Sequence, residues 1–109
     1  MGKYRNIKCE HKGMKFDSIK ERNRFIELEF LQKSGFIFDL KAQHKIDFKI
    51  NGKHIFYLIV DFTYKMYGEN VFEDVKALDR STGKYLTTPV FNLKKKIIEA
   101  EYGIKINLV

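Results

Sequence analysis

Glu21, Phe25 and Leu28 are spaced i, i+4 and i+7, the period of one helix face, in a stretch that opens on Asp17-Ser18 and closes at Gly35. Asp17 and Ser18 both suit the N-cap, Ser18 followed by Glu21 also fits a capping box, and a glycine is a natural residue just past a helix end. A helix is therefore predicted from Ser18 to about Lys33. From Phe36 the period shortens to two. Phe36, Ile37, Phe38 and Leu40 lead into Ile46, Phe48 and Ile50, so residues 36–50 read as a strand with one buried face. Asn51-Gly52 is a hairpin turn signal, and the next run, Ile55 to Tyr64, is apolar on both faces, as a central strand is. Gly68-Glu69-Asn70 marks another turn, and Val71 to Leu78 a third strand. Residues 79–88 are polar and turn-forming. Pro89 suits the first position of a second helix, which runs to about Tyr102 and stops at Gly103. Ile104, Ile106 and Leu108 alternate as a last strand. Ahead of all this, residues 1–17 are basic and polar, with Lys12-Gly13 as a turn, and read as an N-terminal arm or hairpin. The order helix, three-strand meander, helix, strand predicts an α/β fold around one mixed sheet flanked by helices.

Composition narrows the class. No Gly/Ser-rich linker divides the 109 residues, and Pro89 is the single proline, so one domain is expected. Cys9 is the single cysteine, which excludes an internal disulfide and fits a reducing compartment. No apolar run approaches the ~20 residues that span a bilayer, and the N-terminus lacks a signal-peptide stretch. A cytoplasmic protein without a membrane partner is expected. Lys and Arg number 21 against 14 Asp and Glu, a net charge of +7 with pI about 9.5. Such a field favours polyanions, nucleic acid before anionic membrane.

The placement of the acids gives this charge a purpose. Asp61 sits inside Tyr57-Leu58-Ile59-Val60-Asp61-Phe62, where a carboxylate is costly to desolvate unless something pairs with it. On the next predicted strand Asp74 and Lys76 are two apart and share a face. A hairpin looped at Gly68-Glu69 sets Asp61 opposite Lys76, and a loop one residue earlier sets it opposite Asp74. Either register gathers all three side chains on one face. Two carboxylates that close raise each other's pKa unless a cation lies between them. Mg²⁺ takes oxygen ligands and commonly one or two protein carboxylates, so Asp61 and Asp74 suit it, with the Val75 carbonyl as a further ligand. Lys76 would orient or deprotonate the attacking water, or stabilise charge on a phosphate. Glu21 points inward at the start of the first helix and is either a capping residue or a third acid of the site. Glu73, on the other face from Asp74, is expected as a surface acid.

Asp61 followed by Asp74-Val75-Lys76 resembles the signature of the PD-(D/E)XK nucleases, and the αβββαβ order resembles their restriction-endonuclease-like core. The chain is also similar to a phage and prophage family of small uncharacterised proteins assigned to that superfamily. That likeness is carried by Lys3-Tyr4-Arg5-Asn6, Phe16-Asp17-Ser18 through Glu21, Asp61-Phe62 with Glu73-Asp74-Val75-Lys76, and Leu93-Lys94-Lys95-Lys96 leading to Tyr102-Gly103-Ile104. Val60 stands where the superfamily name has Pro, and Ala77 where Gly is expected. The resemblance implies a Mg²⁺-dependent DNA endonuclease, with Mn²⁺ as a substitute. It implies Glu21 as the first-helix acid, branched DNA such as Holliday junctions as substrate in phage recombination or packaging, and a homodimer. Gln43 matches a recurrent Gln of the phage family, with DNA contact or a structural hydrogen bond as its alternatives. The Lys94-Lys95-Lys96 run is either a solvated helix face or a phosphate contact, with Lys94 and Lys95 the candidates. His11, His44 and His54 lack zinc-ligand spacing, and no Ser or Cys has an adjacent base. The alternative function is a non-catalytic DNA-binding or partner-inhibiting protein on a retained nuclease fold, and RNA is the alternative substrate.

Overall fold

In the computed structural model, which describes residues 8–109, Ser18 caps the first helix as its sequence predicts. Its Oγ accepts the Glu21 N–H at 3.1 Å. Before it lie two short paired strands, β1 (Cys9–His11) and β2 (Met14–Phe16), joined at Lys12-Gly13. The expected N-terminal hairpin is thus present from Cys9. Residues 1–7, including the Lys3-Tyr4-Arg5-Asn6 stretch, lie outside the described residues.

Helix α1 spans Ile19–Lys33 and buries Glu21, Phe25 and Leu28, the residues its periodicity selects. Then come β3 (Phe38–Ile50), β4 (Lys53–Met66) and β5 (Glu69–Asp74), followed by the small hairpin β6 (Leu78–Asp79) and β7 (Lys84–Tyr85), helix α2 (Pro89–Tyr102) and β8 (Ile106–Leu108). The main sheet is ordered β3-β4-β5-β8, antiparallel except for the β5–β8 pair, so it is mixed. Chain order along this core is αβββαβ, with β6–β7 inserted in the stretch that sequence leaves as turns.

Two turns fix the register. Asn51 and Gly52 have φ of 52° and 78°, and Tyr67 and Gly68 have 53° and 78°. Both central residues are left-handed, which matches the twist of the strands they join. The second turn is one residue earlier than Gly68-Glu69. Met66 pairs with Glu69 and Phe62 with Glu73, and continuing that register sets Asp61 opposite Asp74. Strand β5 ends at Asp74, short of the expected Leu78: its pairing with β4 stops at Glu73 and its pairing with β8 at Asp74. The last strand likewise begins at Ile106 rather than Ile104.

Each helix brings its own apolar cluster. Phe25 and Leu28 of α1 join Phe16, Ile37, Phe62 and Tyr64, with the Phe25 ring 5.3 Å from Phe16 and 5.9 Å from Phe62. Ile98 of α2 joins Phe48, Leu58, Val60 and Ile106. Val60 and Phe62 are both wholly buried, one in each cluster, and Asp61 lies between them. Asp61 is thus flanked along β4 by one residue of each cluster, at the point where β5 departs from β4.

Candidate active site

The main-chain ladder between β4 and β5 is replaced at its end by side chains. The Asp61 N–H donates to Asp74 Oδ1 at 3.1 Å, and the Val75 N–H donates to Asp61 Oδ2 at 2.7 Å. Backbone N–H groups at a diverging pair of strands need acceptors, and here the two carboxylates supply them. Beyond the fork the departing chain is held from its other side. Val109 N–H donates to the Asp74 carbonyl and Lys76 N–H to the Val109 carbonyl, each at 3.0 Å. Asp74 and Lys76 thus stay extended, two residues apart, and the Lys76 ammonium lies 3.0 Å from Asp74 Oδ2 and 3.9 Å from the Phe91 ring centre. Asp61, Asp74, Val75, Lys76 and Glu21 all line one open cavity of about 720 Å³, the size of a small-ligand cleft.

Electrostatics in this cavity are strained. Burial, then the charges of Asp74 and Glu21, push the Asp61 carboxyl up to about 8, although the Val75 N–H opposes them. The Glu21 carboxyl is also raised, first by burial, while a hydrogen bond with Asp61 opposes the shift. The helix end is capped by the Ser18 side chain, and Glu21 lines the cavity beside Asp61 and Asp74. Among the described residues no three His, Cys, Asp or Glu side chains are already set as an ion cage. Asp61 Oδ2 and Asp74 Oδ1 face main-chain donors, and Asp74 Oδ2 faces Lys76. The donor set is nonetheless one of hard oxygens, two carboxylates and a third acid, with the Lys76 and Lys20 ammonium groups in the same cavity.

Other expected residues lie elsewhere. Gln43 has a left-handed φ of 55° and donates through Nε2 to the Lys15 carbonyl at 3.2 Å, so it ties β3 to β2. Lys95 pairs with Glu99 at 3.2 Å, one turn on, and Glu99 in turn accepts the Ile106 N–H at 2.7 Å. Lys94 reaches the sheet, where its ammonium lies 5.4 Å from the Phe56 ring centre. None of these three lines the cavity.

Glu73 corrects the expectation of a surface acid. It is 97% buried (3% exposed) and takes both Arg24 nitrogens, Nε at 2.8 Å and Nη2 at 2.7 Å, together with the Tyr64 hydroxyl. Strand alternation placed it away from Asp74, but only the packing of α1 reveals that its side of the sheet is covered. The pair holds the Arg24 guanidinium well above its ordinary value, and burial beside Glu73 pushes the Tyr64 hydroxyl up to about 12.

Sequence reasoning also missed Lys20. It lines the cavity one residue before Glu21, donates to the Lys76 carbonyl at 2.6 Å and lies 5.2 Å from the Tyr85 ring centre. It thereby links α1, the end of β5 and the β6–β7 hairpin. Position one before an inward-facing helix residue carries no signal of its own.

The family described as "Protein of unknown function (DUF1064)" matches residues 1–108. The chain belongs to the DUF1064 family. No curated protein and no solved structure matches this DUF1064 chain. No described helix is long and apolar enough to cross a membrane.

Proposed function

We propose that this DUF1064 protein is a metal-dependent nuclease that hydrolyses phosphodiester bonds in DNA. The observation that carries this reading is the fork at Asp61 and Asp74, with Lys76 beside it in one cavity. A carboxyl forced up to about 8 by burial and by neighbouring acids is the electrostatic state that a divalent cation relieves. Hard-oxygen donors select Mg²⁺, with Mn²⁺ as a substitute. Asp61 and Asp74 would hold the ion, helped by Glu21 and the Val75 carbonyl. When bound, it would polarise a phosphate oxygen and acidify an attacking water.

The chain's own groups do the rest. Lys76, restrained by Asp74 and the Phe91 ring, offers a fixed ammonium to the phosphate oxygen that gains charge. Lys20 places a second ammonium in the same cavity and anchors the segment that carries Lys76. The net charge of +7 draws a polyanion toward them. DNA with branches, a homodimer and a cytoplasmic setting complete the proposal, and these rest on the resemblance to PD-(D/E)XK nucleases and on composition.

One observation favours a second reading, a non-catalytic DNA-binding or partner-inhibiting protein. Lys76 already gives Asp74 a cation at 3.0 Å, as a structural ion pair would. A cleavage panel of linear, flapped and four-way DNA, with single-stranded and duplex RNA alongside, separates the two. Cleavage in Mg²⁺ or Mn²⁺ that stops in EDTA, and that Lys76→Ala abolishes while DNA binding survives, supports the nuclease. Binding without cleavage of any substrate by the native protein supports the second reading.

A further inference from the structure

Among the described residues only Phe62–Met66 of β4 pair with β5, and the outer part of the β3–β4 hairpin has no third strand beside it. This outer part has one face turned out. On β3, Lys45, Asp47 and Lys49 are exposed, while His44, Ile46 and Phe48 between them are covered to varying degrees. On β4, Ile55, Tyr57 and Ile59 are about half exposed (47%, 47% and 48%). Lys45 pairs with Ile59 and Asp47 with Tyr57, so these side chains share one side. They also touch: the Lys45 ammonium lies 4.4 Å from the Tyr57 ring centre, and the His54 ring lies 5.8 Å from it. Asp47 is the acid of the face, and its carboxylate is shared by His54 at 2.6 Å and Lys49 at 3.7 Å. The face leads into the cavity. Ile59 lines it, Asp61 is the next residue of the same parity, and Lys41, opposite Thr63, continues the line past the fork.

We propose that this face is a track for the DNA strand leaving the cavity, with Lys45 and Lys49 on its phosphates and Tyr57 against a base or sugar. The inference rests on the nuclease reading and specifies how its substrate lies. Lys45 and Lys49 are four residues apart along β3, a spacing of roughly 13 Å, which is about four steps of a DNA strand. An aromatic ring between cations is the composition that binds a phosphate backbone and stacks on what it carries. A second copy of the chain suits the face poorly. A two-fold contact would oppose two lysine rows, and the one acid available to each is already engaged. From Asp61 to Tyr57 the strand rises roughly 13 Å, so contact begins about four nucleotides from the cut.

The test is binding by fluorescence anisotropy, in EDTA so that no DNA is cut. Branched DNAs with arms of two to twelve nucleotides are used at several salt concentrations, beside the cleavage panel. The K45Q/K49Q variant and Tyr57→Ala are compared with the native protein after thermal melts show that each is folded. With arms of eight or more, the double variant is expected to bind about tenfold more weakly, with a salt slope lower by about 2. Tyr57→Ala is expected to lose about tenfold with the slope kept. With two-nucleotide arms all three proteins should bind alike. Native affinity and slope for the variants at every arm length overturn the track but leave the nuclease reading standing. A variant that changes the mass in sedimentation, with DNA affinity kept, makes the face a protein interface and also overturns it. A native protein that neither binds nor cuts DNA removes both.

Discussion

Glu73 and Asp74 are neighbours on β5, each only 3% exposed, and the protein treats them in opposite ways. Glu73 receives a bidentate guanidinium and a hydroxyl, so its charge is met within the chain. Asp74 faces Asp61 and lies within the influence of Glu21, with the Lys76 ammonium beside it and Lys20 in the same cavity, two cations against three acids. Both sites have satisfied hydrogen bonds, and they differ in charge balance. A buried acid with a full complement of donors and cations holds structure together. A buried cluster with more negative than positive charge loses stability by existing, and that loss is recovered when a cation arrives. Adjacent positions on one strand thus separate a structural ion pair from the candidate site.

The largest effect that would break this contrast comes from Asp61→Asn or Asp74→Asn. Each should lower cleavage by on the order of 10³-fold or more in Mg²⁺, because a ligand charge is lost where the transition state needs it. Asp61→Asn should also leave the metal-free protein as stable as the native one or more so, read from denaturant midpoints. A large loss of stability would put Asp61 in the same structural class as Glu73. Next in size, Arg24→Ala should destabilise the fold by roughly 3–5 kcal/mol in urea titrations, because it strands a buried carboxylate. Replacing both partners, as in R24M/E73M, should recover much of that loss; if the double variant is no better than the single, the pair is not the source of the cost.

pH sharpens the same comparison. The Asp61 carboxyl is raised from 3.8 to about 8, so across that interval the folded state holds a proton that the unfolded state has released. Metal-free stability is then fullest below the unfolded value, falls as pH rises toward 8, and levels off beyond it. Mg²⁺ should flatten this slope by replacing the proton. Thermal midpoints from pH 4 to 9 with and without Mg²⁺ test this, and a slope that metal leaves unchanged counts against Asp61 as a ligand. The smallest effect lies far from both sites. Tyr67 is 91% exposed at a φ of 53°, so Tyr67→Asn should raise stability by about 0.5 kcal/mol, visible as a small rise in melting temperature, with cleavage unchanged.

Much of the fold was written in local order. Ser18 with Glu21, Pro89 and Gly103 delimit both helices, and Asn51-Gly52 turns the long hairpin, because caps and left-handed turns depend on residues a few positions apart. The Asp61, Asp74 and Lys76 set was legible for a similar reason: strand parity assigns a side once pairing is assumed. The sequence alone allows two registers, since Tyr67-Gly68 lacks the usual Asn or Asp ahead of Gly.

What sequence determined by itself was periodicity, turns and charge, all of them short-range properties of the chain. Tertiary packing decided which side of each strand is covered and therefore which charges meet. Arg24 and Glu73 are 49 residues apart, and Lys20 and the Lys76 carbonyl are 56 apart. Alternation along β5 says that Glu73 and Asp74 point opposite ways; it carries no information about the helix that brings a guanidinium to one of them. Such partnerships depend on how α1 lies across the sheet, which is fixed by the summed burial of Phe16, Phe25, Leu28 and Phe62 rather than by any local pattern.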